Sequence, residues 1–167
     1  IIQNNFKPIF VDVEIDTFNI DIDKIKKKIT KKTKVIIVVH IYGLMCEIDS
    51  ILKIAKKYNL KVLEDCAQCF VGKDDKNRIS GTVGEIGSWS LESSKHISCG
   101  EGGVLTTNSP KLAKMMRKFG GLGFKNITSS SGNIRISRDK CQNPDWKRHD
   151  VFGYNFRLSE ICSAVSL

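Results

Sequence analysis

Four side chains combine chemistry with suggestive placement: His40, Asp65, Ser90 and Lys95. They offer a ring nitrogen, a carboxylate, a hydroxyl and an amine. In open parallel sheets, ligands bind beyond the carboxyl ends of the strands. His40 closes the apolar run KVIIVVH, Asp65 closes KVLED, and Ser90 stands near the end of a third strand. Lys95 follows in a serine-rich loop bounded by glycine. Taken singly, each has a plain use. A strand-end aspartate often caps a helix or anchors a loop, a loop lysine is usually solvated, and a terminal histidine is more often structural. Only their joint sequence context lifts them into a candidate site.

Beside Asp65 lie Cys66 and Cys69, with C-x-x-C spacing, in a chain that holds six cysteines. A zinc site needs a second ligand pair at comparable spacing, and the sequence has none, so no metal is expected. A thioredoxin-like redox pair belongs at a helix N-terminus in a different neighbourhood. The plainer reading is small buried apolar residues in a reducing cytoplasm.

The elements that must position these residues run strand, helix, strand, helix, strand, an α/β order with a mainly parallel sheet. Lys7 to Val13 (KPIFVDV) reads as a short buried strand. Asp21 to Ile25 opens a helix with acidic residues near its positive end and lysines toward its negative end. Lys34 to His40 is almost continuously apolar, as in a strand buried on both faces. Glu47 to Asn59 carries Ile48, Ile51, Leu52 and Ala55 at helical spacing, with Lys56 and Lys57 outward. Further strands are predicted at Lys61 to Asp65, Ser88 to Leu91 and Gly103 to Thr107. A long connection, Cys66 to Gly87, and the loop Glu92 to Gly102 separate them. Ser109-Pro110 supplies an N-cap and a first-turn proline for a helix over Lys111 to Phe119, which Gly120 ends. Gly121 to Asp150 is polar and irregular, an excursion from the core. Arg157 to Leu167 is helical in pattern.

With 167 residues, 41% of them hydrophobic, the chain can build one domain with a core. No run of about 18 apolar residues occurs, which excludes a membrane-spanning helix on length. Ile1 to Lys7 lacks the pattern of a signal peptide. The chain starts without Met and stops within a helical pattern, as a fragment would. A formal charge of +9 raises nucleic acid or a membrane surface as partners. The lysines, however, cluster between Lys24 and Lys34 and between Lys53 and Lys57, on expected solvated helix faces. No aromatic residues interleave with them for base stacking, so neither partner is expected.

Four ordered segments carry a family resemblance: VHIYG (Val39 to Gly43), LEDCAQC (Leu63 to Cys69), GSWSLESSKHISCGEGGVLTTN (Gly87 to Asn108) and GYNFRLSE (Gly153 to Glu160). In order and spacing they resemble the DegT/DnrJ/StrS family of pyridoxal-phosphate (PLP)-dependent sugar aminotransferases. The opening PIFVDVEIDTFNID is similar to that family's sheet region, and the match is weakest over Gly123 to His149. The resemblance implies the central part of the large PLP-binding domain of the aspartate-aminotransferase-like fold. It also implies that an N-terminal phosphate cradle and a C-terminal small domain fall outside the chain.

PLP works as an electron sink that a protein must bind covalently, keep protonated at its ring nitrogen and hold by its phosphate. By similarity, Lys95 would form the Schiff base and, once displaced, shuttle the proton between substrate α-carbon and cofactor. Asp65 would pair with the pyridine nitrogen. Gln68 would lie against the ring and hydrogen-bond its 3-oxygen, and Ser90 would bind the phosphate. Asn155 falls on a position that reaches the phosphate of the neighbouring subunit's cofactor. Arg157 is a candidate for gripping a donor carboxylate in a bidentate pair. These two imply a homodimer with shared active sites. His40 matches a position near the substrate site without a defined role there, so a structural role is the better reading, and Cys66 and Cys69 fall where relatives carry small residues.

A related branch of the family has His in place of the lysine and performs dehydration. Counting back from Gly100-Glu101-Gly102-Gly103 places Lys95, not His96, on that position, which favours transamination. The implied reaction moves an amino group from glutamate or glutamine to a nucleotide-linked keto sugar. A PLP enzyme acting on a non-sugar ketone such as a cyclitol, and a non-catalytic α/β scaffold, are the alternatives. Retention of Asp65, Gln68, Ser90 and Lys95 together argues against the scaffold.

Overall fold

Asp21 starts helix α1 (Ile22–Lys28) by accepting from the amides of Asp23 and Lys24 at 3.0 and 3.1 Å. Those are two of the donors a helix N-terminus leaves unpaired. The computed structural model describes residues 1–128 and 136–167, so part of the excursion expected over Gly121 to Asp150 lies outside the described residues. The backbone divides into two units, Ile1–Thr106 and Thr107–Leu167.

The first unit holds a four-stranded sheet of β1 (Val35–Val39), β2 (Lys61–Asp65), β3 (Ile86–Ser90) and β4 (Gly103–Thr106), adjacent in that order. The first three strands are parallel and β4 runs antiparallel to β3. Between β1 and β2 runs helix α2 (Ile48–Tyr58). Its buried residues Ile48, Ile51, Ile54 and Ala55 join Ile36, Val38 and Val62 in one hydrophobic cluster. Ile51 and Val38 are wholly buried, a contribution of about 1.5–3 kcal/mol each.

Two expectations about the strands need correction. β1 is buried on one face only. Ile36 and Val38 point into the cluster, while Val35, Ile37 and Val39 keep 37–39% of their surface exposed. The uniform apolar run hid an alternation that packing against α2 imposes. Lys7 to Val13 forms no strand: Val13 makes one isolated bridge to Ile20, and Phe10 is 85% exposed. A strand needs a neighbour for its backbone groups, and the described residues offer this segment only that bridge.

The long connection after β2 folds back over β3. A Cβ at Gly87 would lie 2.0 Å from the Gly81 carbonyl oxygen. Gly81 itself has φ +74° and packs against the Trp89 ring, so glycine is required on both sides of this approach. Arg78 fastens the connection to α2, donating to Asp74 through Nε at 2.6 Å and to Asp49 through Nη2 at 2.7 Å.

In the second unit, α3 (Pro110–Gly120) is capped by Ser109, whose Oγ accepts from Leu112 N at 3.3 Å. A short helix α4 (Arg138–Gln142) interrupts the excursion, and α5 (Glu160–Val165) begins where Ser159 Oγ accepts from Cys162 N at 3.1 Å. That cap starts the last helix three residues after the predicted Arg157. Tyr154 stacks on Phe156 at 5.3 Å between ring centroids, and Phe119 packs tilted against Tyr154 at 5.1 Å. Among the described residues, no helix is long and apolar enough to cross a membrane.

Candidate active site

The register aligns the predicted residues along one edge of the sheet. Val39 is opposite Asp65 and Asp65 opposite Ser88. His40, Asp65 and Ser90 thus stand at the carboxyl ends of three neighbouring parallel strands, where ligands bind in such sheets. Ser90 pairs with Gly103 on β4. The intervening loop is closed by Leu91 N donating to Gly102 O at 2.9 Å and Cys99 N to Leu91 O at 3.0 Å. Inside it, Lys95 N donates to Glu92 O at 3.0 Å, so Lys95 sits in a built turn and not on a loose tether. Lys95 is half-buried while His96 is exposed.

The side chains at this edge retain unused capacity. Asp65 Oδ1 accepts from Ala67 N at 3.0 Å, and among the described residues Oδ2 has no partner. Ser90 Oγ accepts from Glu92 N at 3.2 Å, which leaves its proton to donate. The Gln68 amide and the Lys95 amine make no hydrogen bond among the described residues. A carboxylate, an amide, a hydroxyl and an amine left open along one strand edge fit an aromatic cation bearing an anionic tail and a carbonyl. The requirements of PLP and the residues present agree.

Glu92 is a neighbour that sequence reasoning passed over. The hydroxyls of Ser93 and Ser94 and the Ser94 amide hold its carboxyl well below the ordinary range, at about 2, with Lys95 adding to the effect. It is a fixed anion in the lysine turn.

His40 follows the end of β1, but its ring is enclosed in the core. It is wholly buried, with Nε2 3.0 Å from Glu64 Oε2 and Nδ1 accepting from Cys46 N at 3.0 Å. The ring offers no surface for a substrate in this arrangement. Its partner Glu64 also went unremarked, although strand parity signalled it: Val62 and Glu64 share the buried face of KVLED. Burial pushes the Glu64 carboxyl up, but hydrogen bonds from His40, Gly84, Gly81 and Val83 outweigh it and hold it below the ordinary range.

His40, Glu64 and Cys66 bring ligand atoms within 4.8 Å of one another, the raw material of a metal centre. Both ring nitrogens and both carboxylate oxygens are already hydrogen-bonded, however. Burial pushes the Cys66 thiol up to about 12, so it is no ready thiolate ligand. Cys46, Cys66, Cys69, Cys99 and Cys162 are free thiols, and all but Cys162 are buried, in line with the apolar reading of Cys66 and Cys69.

Asn155 and Arg157 belong to the second unit. Both are exposed, and Arg157 Nε donates to Asn155 Oδ1 at 2.9 Å.

Comparison with known proteins identifies the family and the fold. The model of the DegT/DnrJ/EryC1/StrS aminotransferase family matches residues 1–167. GDP-perosamine synthase of Escherichia coli O157:H7 is 39% identical over 160 residues, which cover 96% of this chain and 39% of that protein. The dTDP-3-amino-3,6-dideoxy-alpha-D-galactopyranose transaminase of Aneurinibacillus thermoaerophilus is 44% identical over 164 residues, covering 97% of this chain and 39% of that one. The solved structure of the E. coli GDP-4-keto-6-deoxy-D-mannose-3-dehydratase with bound hydrated PLP superposes with a TM-score of 0.78 at 29% identity, covering 94% of this chain and 40% of that one. The chain thus spans about two fifths of the length of these relatives. Its α/β sheet is that of the aspartate-aminotransferase-like fold, and the chain belongs to the DegT/DnrJ/EryC1/StrS aminotransferase family.

Proposed function

We propose that this chain is the cofactor-holding part of a PLP-dependent aminotransferase that converts a nucleotide-linked keto sugar to an amino sugar. The observation that carries the reading is the common strand edge. Asp65 and Ser90 end neighbouring parallel strands, and Lys95 stands in the hydrogen-bonded loop that leaves Ser90. PLP, when bound, supplies an electron sink for charge developing on the substrate carbon. Lys95 Nζ would anchor it covalently and, when free, would carry a proton to and from that carbon. Asp65 Oδ2 would pair with the ring nitrogen and keep it cationic. Gln68 would hydrogen-bond the 3-oxygen, and the Ser90 hydroxyl would donate to the phosphate.

Asn155 and Arg157 extend the reading to a homodimer with shared sites. The Asn155 amide would donate to the phosphate of the neighbouring subunit's cofactor, and Arg157 would grip the carboxylate of glutamate or glutamine. The half-buried Lys95 beside an exposed His96 supports transamination over dehydration. Free buried thiols support a cytoplasmic setting. The names of the two sugar-nucleotide relatives support the substrate class.

Incubation of the full-length protein with PLP, then borohydride reduction and peptide mapping, tests the reading. A reduced adduct on Lys95, lost in Lys95→Ala together with turnover, is the expected result. A folded protein with no adduct, or a Lys95→Ala variant with full turnover, would overturn it in favour of a scaffold or another chemistry.

A further inference from the structure

We infer that His40 and Glu64 form a buried positioning couple that sets how Asp65 and Gln68 face the cofactor, an inference that rests on the PLP reading above. The argument starts from a count of donors. Glu64 is 1% exposed, and every partner of its carboxylate is an N–H group. His40 Nε2 and Gly81 N meet Oε2 at 3.0 and 2.8 Å, and Val83 N meets Oε1 at 2.8 Å, with Gly84 N beside it at 2.5 Å. An ionised carboxylate accepts without donating, so an amide in its place would set donor against donor. A backbone amide can only donate. His40 Nδ1 must therefore accept from Cys46, which leaves the ring proton on Nε2, directed at Glu64.

Two side chains thereby tie the amides of residues 46, 81, 83 and 84 to the core of β1 and β2, and Gln68 lies between the segments so tied. Its carbonyl accepts from Gly43 N at 2.8 Å, three residues before Cys46. The next carbonyl, that of Cys69, accepts from Ser80 Oγ at 2.8 Å, one residue before Gly81. Val71 just beyond has a φ of 45°, which a β-branched residue adopts only when its surroundings impose it. The turn therefore takes its shape from these ties. Asp65 is reached through the backbone, its carbonyl accepting from His40 N at 3.0 Å. Glu64 and Asp65 are consecutive in β2 and face opposite sides of the sheet. The couple acts on the cofactor only through Asp65 and Gln68.

Three variants of the full-length protein test this: His40→Asn, which keeps an acceptor for Cys46; His40→Gln, which keeps a donor for Glu64; and Ser80→Ala, which removes the hydroxyl that bonds the Cys69 carbonyl and leaves the His40–Glu64 contact in place. Each is expected to weaken PLP binding, by about tenfold for the His40 variants, the worth of one lost hydrogen bond. Each should also shift the pH midpoint of the bound cofactor's absorption, which reports Asp65 and Gln68 and would not move on a mere loss of stability. Without cofactor, His40→Asn and His40→Gln should speed amide exchange at residues 43–46 or 80–84. If the His40 variants fail to fold, amide exchange in the unaltered protein carries the test: the amides of residues 46, 81, 83 and 84 should exchange slowest in their segments, and fast exchange there would overturn the inference. PLP uptake on Lys95 with unchanged affinity and midpoint in the folded variants would overturn this inference alone. Absence of uptake by the unaltered protein would overturn the PLP reading and the inference with it.

Discussion

Arg157 Nε donates to Asn155 Oδ1 at 2.9 Å, so the two exposed polar residues of the GYNFR segment orient one another. The bond occupies the oxygen of the Asn155 amide and leaves its Nδ2 donors to an approaching anion. It also leaves the terminal guanidinium nitrogens of Arg157 free for a carboxylate.

Asn155→Asp should preserve this contact while replacing those donors with an acceptor bearing negative charge. In full-length protein, the PLP dissociation constant is expected to rise by about tenfold or more, from one lost donor plus repulsion of the phosphate. Fluorescence titration with PLP measures it. An unchanged constant would remove Asn155 from the phosphate site.

The carboxyl of Glu92, at about 2, lies well below the ordinary glutamate value near 4.5. A depressed acid stabilises the folded turn fully above the ordinary value and loses that contribution as pH falls through its folded value. The Lys95 turn is therefore expected to hold its hydrogen bonds to Glu92 at pH 5 and to lose them between pH of about 4.5 and about 2. Carboxyl NMR titration of Glu92 in the folded protein checks this, and a midpoint near 4.5 would contradict the serine cradle.

Burial pushes the thiols of Cys46 to about 11 and Cys66 to about 12, and also raises Cys69. At pH 8 these three should resist a thiol-specific reagent in the folded protein and react fully in urea, whereas Cys162, which is partly exposed, reacts without unfolding. Mass mapping of the labelled peptides distinguishes them. Rapid labelling of folded Cys66 or Cys69 would revive a redox role for the C-x-x-C pair.

Much of the site was legible because its chemistry is encoded locally. A strand-end aspartate, a serine near a strand end and a lysine in a glycine-bounded loop are readable from runs of residues, and the sheet register then sets them along one edge. The capped helices were equally readable, since Asp21 and Ser109 act within three residues of themselves. KPIFVDV was misread because an apolar run does not reveal whether a partner strand exists. The partners of His40 were hidden for a similar reason. Glu64 and Cys46 lie 24 and 6 residues away, and only folding brings the three together.

The sequence alone determined the α/β order, the helix starts at Asp21 and Ser109, and the lysine at position 95 in a glycine-bounded loop after a strand. Those features depend on backbone geometry and short-range hydrogen bonding. The tertiary structure decided which face of β1 is covered, that Glu92 is locked beside Lys95, and that His40 is buried against Glu64. Each of these turns on which donors meet which acceptors once water has been excluded, and a buried carboxylate ringed by N–H groups exists only after distant segments have closed around it.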